Sequence, residues 1–156
     1  MKVRSLLAFL PLLLGVLLFT SCDVEKEIDF CDLPAEARSF IDNYFPEADI
    51  LSITREKEDG RKEYQVQLSD GTEMEFDEDG AWTNIECYYS PLPTGILPAN
   101  VITKVEELHP EAYINGVEKE LGGYVVEVTD AGGINWDMRF NAQFEYVSQS
   151  QDRNDD

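Results

Sequence analysis

The sequence predicts an α+β chain in which a helix followed by a four-stranded antiparallel meander is written twice, with the helices packed on one sheet face. Three observations carry this reading. Leu33-Pro34 followed by Phe45-Pro46-Glu47-Ala48 recurs as Leu97-Pro98 followed by His109-Pro110-Glu111-Ala112, every position shifted by 64. After each of these blocks the apolar spacing switches from the helical period to alternation. Aspartate-glycine pairs then punctuate the alternating stretches of the first unit, a strong short-range hairpin signal, and weaker glycine turns, Gly122-Gly123 and Asp130-Ala-Gly-Gly133, do so in the second.

The chain starts with an export leader. Lys2 and Arg4 precede the apolar stretch Leu6 to Phe19, 14 residues interrupted by Pro11 and Gly15. A membrane span needs roughly 20 apolar residues, so this stretch is a signal rather than an anchor. Thr20-Ser21 leads into Cys22 and resembles a bacterial lipobox, although Phe19 stands where Leu is more usual. That resemblance implies cleavage after residue 21 and lipidation of Cys22, attaching the protein to a membrane only through acyl chains. Residues 22–31 then read as an acidic tether, suited either to surface display or simply to solvation.

In the first unit (32–89), Pro34 sits well at a helix start. Ala37, Phe40, Ile41 and Tyr44 follow at helical spacing, and Pro46 ends the helix because the residue before proline leaves the helical region. Ile50 and Ile53 mark a first strand. Asp59-Gly60 turns it into Tyr64, Val66 and Leu68, and Asp70-Gly71 leads to Met74 and Phe76. Asp79-Gly80 leads to Trp82 and Ile85. Residues 90–96, with Pro91, Pro93 and Gly95, read as a linker. In the second unit (97–148), Val101, Val105 and Leu108 form the helix stripe, and Lys104 replaces Phe40. Ile114, Val117, Tyr124, Val126, Val128, Met138, Phe140 and Tyr146 repeat the strands. Its last turn, Asn141-Ala142-Gln143, lacks the glycine. Residues 149–156 read as a disordered polar tail. A unit of this size is marginal alone, so the two are expected to share a core or a continuous sheet.

The sequence carries 12 basic and 32 acidic residues. Without the leader's two cations, 10 basic residues face those 32, a net charge of about −22. Such a surface repels nucleic acid and anionic lipid heads. Cys31 and Cys87 remain after Cys22, and in an exported chain they form either a disulfide or two free thiols. Neither has a cysteine or histidine at metal-ligand spacing.

The catalytic inventory is nearly empty. His109, the sole histidine, sits at the helix-end position of Phe45, as packing or a C-terminal dipole partner would. There is no glycine-rich dinucleotide or phosphate loop and no HExxH, so no cofactor is expected. Glu75, Asp77, Asp79, Gly80 and Glu86 match calcium-loop positions 1, 3, 5, 6 and 12, but they continue a strand alternation without flanking helices; a hydrated hairpin accounts for them better. Glu73 and Glu75 lie on a solvated strand face, where chance carboxylate pairs are common in so acidic a chain. The aromatic residues Trp82, Tyr88, Tyr89, Trp136, Phe144 and Tyr146 lie on or near final strands. They serve either as partner-binding anchors or as packing between helix and sheet.

The repeated helix ending in (F/H)-P-E-A, the strands Tyr64 to Leu68 and Tyr124 to Val128, and the hairpin Phe76-Asp77-x-x-Gly80 resemble the PepSY-like domains of Bacteroidetes envelope lipoproteins. Those domains resemble the β-lactamase inhibitor protein. The resemblance spans nearly all of residues 32–148, with Phe140-Asn141-Ala-Gln-Phe144 departing from the pattern. It implies an outer-membrane lipoprotein, periplasmic or surface-exposed. It also implies a non-enzymatic role binding a protein or peptide, including restraint of a peptidase. A small-ligand or cation carrier of the envelope is the alternative.

Overall fold

The computed structural model describes residues 25–58 and 60–152. The leader, Cys22, Asp59 of the first turn and residues 153–156 lie outside the described residues. The elements run β1 (Lys26–Glu27), a 3-10 turn (Phe30–Asp32), α1 (Ala35–Tyr44), β2 (Ile50–Glu58), β3 (Arg61–Leu68), β4 (Thr72–Phe76) and β5 (Trp82–Cys87). The second half follows as α2 (Ala99–Leu108), β6 (Tyr113–Glu120), β7 (Gly123–Thr129), β8 (Asn135–Asn141) and β9 (Tyr146–Gln151). Among the described residues all nine strands form one sheet in chain order, each antiparallel to the next.

The duplication extends to individual hydrogen bonds. Pro34 and Pro98 precede the helices, and the Phe45 and His109 amides close them by donating to the carbonyls of Ile41 and Val105. The β2–β3 register shifts between Ile50 and Ser52, and the β6–β7 register shifts between Ile114 and Gly116. A second irregularity, at Glu75/Phe76, recurs at Arg139/Phe140. Every one of these positions repeats after 64 residues. Bulges bend and re-aim a strand, so the repetition fixes the same side-chain directions in both halves.

The β5–β6 pairs Asn84↔Glu118, Ile85↔Val117 and Glu86↔Gly116 join the units into a continuous sheet. Ile85 and Val117 are fully buried beside each other, and one core runs across the seam. From the helices it takes Ala37, Ile41, Val101 and Val105, and from the strands Val66, Met74, Phe76, Val126, Met138 and Phe140. Burial of one such large side chain stabilises by roughly 1.5–3 kcal/mol, and sharing the core offsets the small size of each unit. Among the described residues no helix covers the opposite sheet face. Across it Glu73 opposes Glu86 and Glu127 opposes Asp137.

Two segments differ from the sequence expectation. Within the stretch expected as a tether, Lys26–Glu27 pairs with Arg55 and Thr54, adding a ninth strand. Residues 149–151, expected to begin a disordered tail, complete β9 by pairing with β8. Their polarity reflects an outermost strand with little apolar surface to cover, not a lack of structure.

Candidate functional site

An open cleft of about 510 Å³ lies between the two units on the helix side of the sheet. Phe40 of α1, Trp82 at the start of β5, Tyr124 near the start of β7 and Phe144 in the β8–β9 turn supply aromatic walls. Ile96 of the linker and Leu97 at the start of the second unit contribute apolar surface. The four rings are half-buried rather than sealed in the core.

Each ring is positioned by its local backbone. Phe40 stands on the apolar stripe of α1 and meets Phe76 edge-on at 5.9 Å. Alternation alone would turn Trp82 to the wet face, because Ile85 points inward. The β4–β5 bulge brings Trp82 opposite Phe76 instead, so it faces the helices. Tyr124 lies opposite Phe140, and its ring joins its neighbours into a ladder. Trp82 is 5.9 Å from Tyr124, and Tyr124 stacks on Phe144 at 4.1 Å with the rings 13° apart.

Phe144 occupies a position made for glycine. In the first unit, Asp77 Oδ1 accepts the amides of Asp79 and Ala81, and Gly80 follows at φ +90°. In the second, Asn141 Oδ1 accepts the amides of Gln143 and Glu145, and Phe144 follows at φ +58°. The turn thus survives the missing glycine. The Asn100 amide on α2 donates to the Phe144 carbonyl at 2.5 Å and holds the turn against the helix. Left-handed backbone at a bulky residue costs of order 1–3 kcal/mol and persists where surroundings enforce it. Here the enforced feature is a ring presented to the cleft.

Glu36 and Lys119, both exposed, also line the cleft from the first and second units respectively. They give it one charge of each sign in an otherwise acidic molecule.

The remaining aromatic candidates lie elsewhere. Trp136 donates its indole N–H to Asp130 at 2.9 Å and packs on His109 at 4.8 Å. Tyr146 meets Phe140 edge-on, beneath the Lys104 ammonium at 5.8 Å. Tyr88 and Tyr89 stand at the far end, beside Leu51 and Gly71, in a smaller hollow of about 370 Å³. Sequence patterning singled out Trp82 and Phe144 but not Phe40 and Tyr124. Both looked like ordinary core members of a helix stripe and a strand.

Other sequence candidates are dispersed. Asp77 and Asp79 lie in the β4–β5 turn, with Asp77 committed to backbone amides, whereas Glu75 and Glu86 sit on the wet face opposite Asn84 and Glu73. Among the described residues no group of three metal-ligating side chains converges. Cys31 and Cys87 are free thiols, one exposed and one buried, and Thr72 Oγ1 donates to Cys87 Sγ at 3.8 Å. His109 is buried at the end of α2, with Nε2 3.0 Å from Gln149 Oε1.

On the wet face the carboxylates perturb one another. Burial and the charges of Glu86 and Asp137 push Glu127 up to about 7. Burial is also the main cause raising Glu75 and Asp137. A hydrogen bond to Glu86 raises the Tyr88 phenol.

Residues 62–147 match the family model described as "Putative beta-lactamase-inhibitor-like, PepSY-like". A "putative periplasmic protein from DUF2874 family" of Bacteroides vulgatus superposes with a TM-score of 0.75 at 29% identity, over 83% of this chain and 98% of that one. A second Bacteroides vulgatus structure, a "putative periplasmic protein of unknown function", gives 0.72 at 25% identity, covering 82% and 98%. A "putative calcium-regulated periplasmic protein" of Bacteroides thetaiotaomicron gives 0.73 at 24% identity, covering 81% and 96%, a likeness of fold. No curated protein matches the chain.

Proposed function

The chain belongs to the PepSY-like family, and we propose that it acts as a non-enzymatic binding module of the bacterial cell envelope, gripping a protein or peptide in the cleft between its units. The observation that carries this reading is the ladder of Trp82, Tyr124 and Phe144 facing Phe40 across an open space of about 510 Å³. Aromatic rings held rigidly around a concave surface are the commonest anchors of protein recognition, because they bury large area at little cost in side-chain freedom. One of them is maintained in left-handed backbone, which supports selection for its placement.

The envelope location rests on the export leader and on relatives described as periplasmic. Attachment through Cys22 is part of the same proposal: acyl chains would hold the module at the membrane while the acidic domain stays in water. The family's description as beta-lactamase-inhibitor-like fits a partner enzyme, such as a peptidase, restrained by surface complementarity.

Affinity capture from envelope extracts of the native host, with wild-type protein beside a Trp82→Ala/Tyr124→Ala variant, tests the reading. A partner retained by the first and lost by the folded second supports it. The same proteins recovered with both, or turnover of a substrate by the purified chain, would refute it.

A further inference from the structure

We infer that the outer edge of β9 is a second docking site, one that takes an antiparallel β-strand from another protein. The evidence is the chain's own internal repetition. Shifted by 64 residues, β9 is the counterpart of β5, and β5 already accepts a strand on its outer edge: β6 pairs there through Asn84, Ile85 and Glu86. The corresponding β9 residues are Ser148, Gln149 and Ser150, and among the described residues nothing pairs beyond them.

The backbone is oriented to receive a partner. The Asp152 amide donates to the Asn135 carbonyl at 2.9 Å, so residue 152 faces β8. In an antiparallel ladder successive residues alternate direction, which points the N–H and C=O of Gln149 and Gln151 away from the sheet. Protein edges are usually blunted by lysine, proline or shortness. None of these protects β9: from Tyr146 to Gln151 it has no charge and no proline.

A second copy of this chain is a poor occupant. In a head-to-tail addition the incoming strand would be β2, the counterpart of β6. The required edge of β2 is already covered, since Glu27 pairs with Thr54 and the Ile28 amide donates to the Ile53 carbonyl. Thr54 and Ile53 correspond to Glu118 and Val117, two of the residues through which β6 grips β5. β1 therefore caps the end that would propagate a filament. Pairing of two β9 strands side by side would set Glu145 of one copy near Asp152 of the other, acid against acid. These same flanking carboxylates favour a strand that is uncharged where it pairs and basic at its ends.

The test uses the full protein and two synthetic nine-residue peptides of alternating threonine and valine, one ended by lysines and one by glutamates. A third probe is the lysine-ended peptide N-methylated on the amides that would meet β9. With peptide in roughly tenfold excess over its Kd, hydrogen exchange at Gln149 and Gln151 is expected to slow about tenfold with the lysine-ended peptide only, since exchange then proceeds from the unbound fraction. Unchanged exchange at these amides, or equal protection by the N-methylated peptide, overturns the proposal. Protection that rises with protein concentration alone, with a dimer in sedimentation, assigns the edge to a second copy and overturns it too. A Trp82→Ala variant should protect equally, which separates this edge from the cleft.

Discussion

Gly80 and Phe144 occupy the same left-handed turn position in the two units, at φ +90° and +58°. The glycine is required where it stands: a Cβ there would lie 2.7 Å from Pro34 Cβ and 2.9 Å from the Ala37 amide nitrogen. Gly80→Ala should therefore destabilise by about 2–4 kcal/mol, combining strain with overpacking. Phe144→Gly relieves backbone strain while losing the Tyr124 stack, so its stability should stay within about 1 kcal/mol of wild type. Urea unfolding of both variants measures the contrast.

Glu127 should make stability depend on pH below neutrality. Its carboxyl is pushed up to about 7 by burial and by Glu86 and Asp137, so the folded state holds a proton that the unfolded chain releases. Between the ordinary carboxylate range and about pH 7 the folded form binds more protons, and stability falls as pH rises through that window. Glu75 and Asp137 are shifted in the same direction. Glu127→Gln should flatten the dependence and raise the neutral-pH melting temperature by ~3 °C. Gly116→Ala, whose Cβ would lie 2.7 Å from Glu127 Oε2, should displace the carboxylate toward water and lower its pKa in a carbon-13 titration.

The two thiols should react on different timescales. Cys31 is exposed, whereas burial raises the Cys87 thiol and keeps it from reagents. In a Cys22→Ser chain, mass spectrometry after brief alkylation should show one modified cysteine, at 31. The second should appear only with unfolding.

Trp136 and Trp82 should separate by role. Trp136→Phe removes the indole bond to Asp130 and is expected to cost about 1 kcal/mol while leaving partner capture intact. Trp82→Phe should lower capture more than stability. Parallel unfolding and capture assays check both.

Much of the architecture was legible because helix stripes and their flanking prolines occur twice at one spacing, and aspartate-glycine turns mark the strands of the first unit. Lys26–Glu27 was not, since two charged residues give no periodicity and become a strand only by pairing with β2. Residues 149–151 were hidden for a related reason: an outer strand with polar residues lacks alternation. The cleft was half visible. Trp82 and Phe144 stood out as aromatics near final strands, but the bulge that turns Trp82 toward the helices is a register shift with no sequence mark. Phe144 in left-handed backbone is likewise set by tertiary contacts with Tyr124 and Asn100.

Cross-linking from inside the cleft tests the central claim most directly. Phe40 is replaced by a photoreactive benzoyl-phenylalanine in cells of the native host, with Tyr89 at the far end of the sheet replaced in parallel. The account predicts a discrete adduct with a protein or peptide from position 40 that disappears when Tyr124→Ala is added. Adducts from position 89 alone, or from neither position, would contradict it.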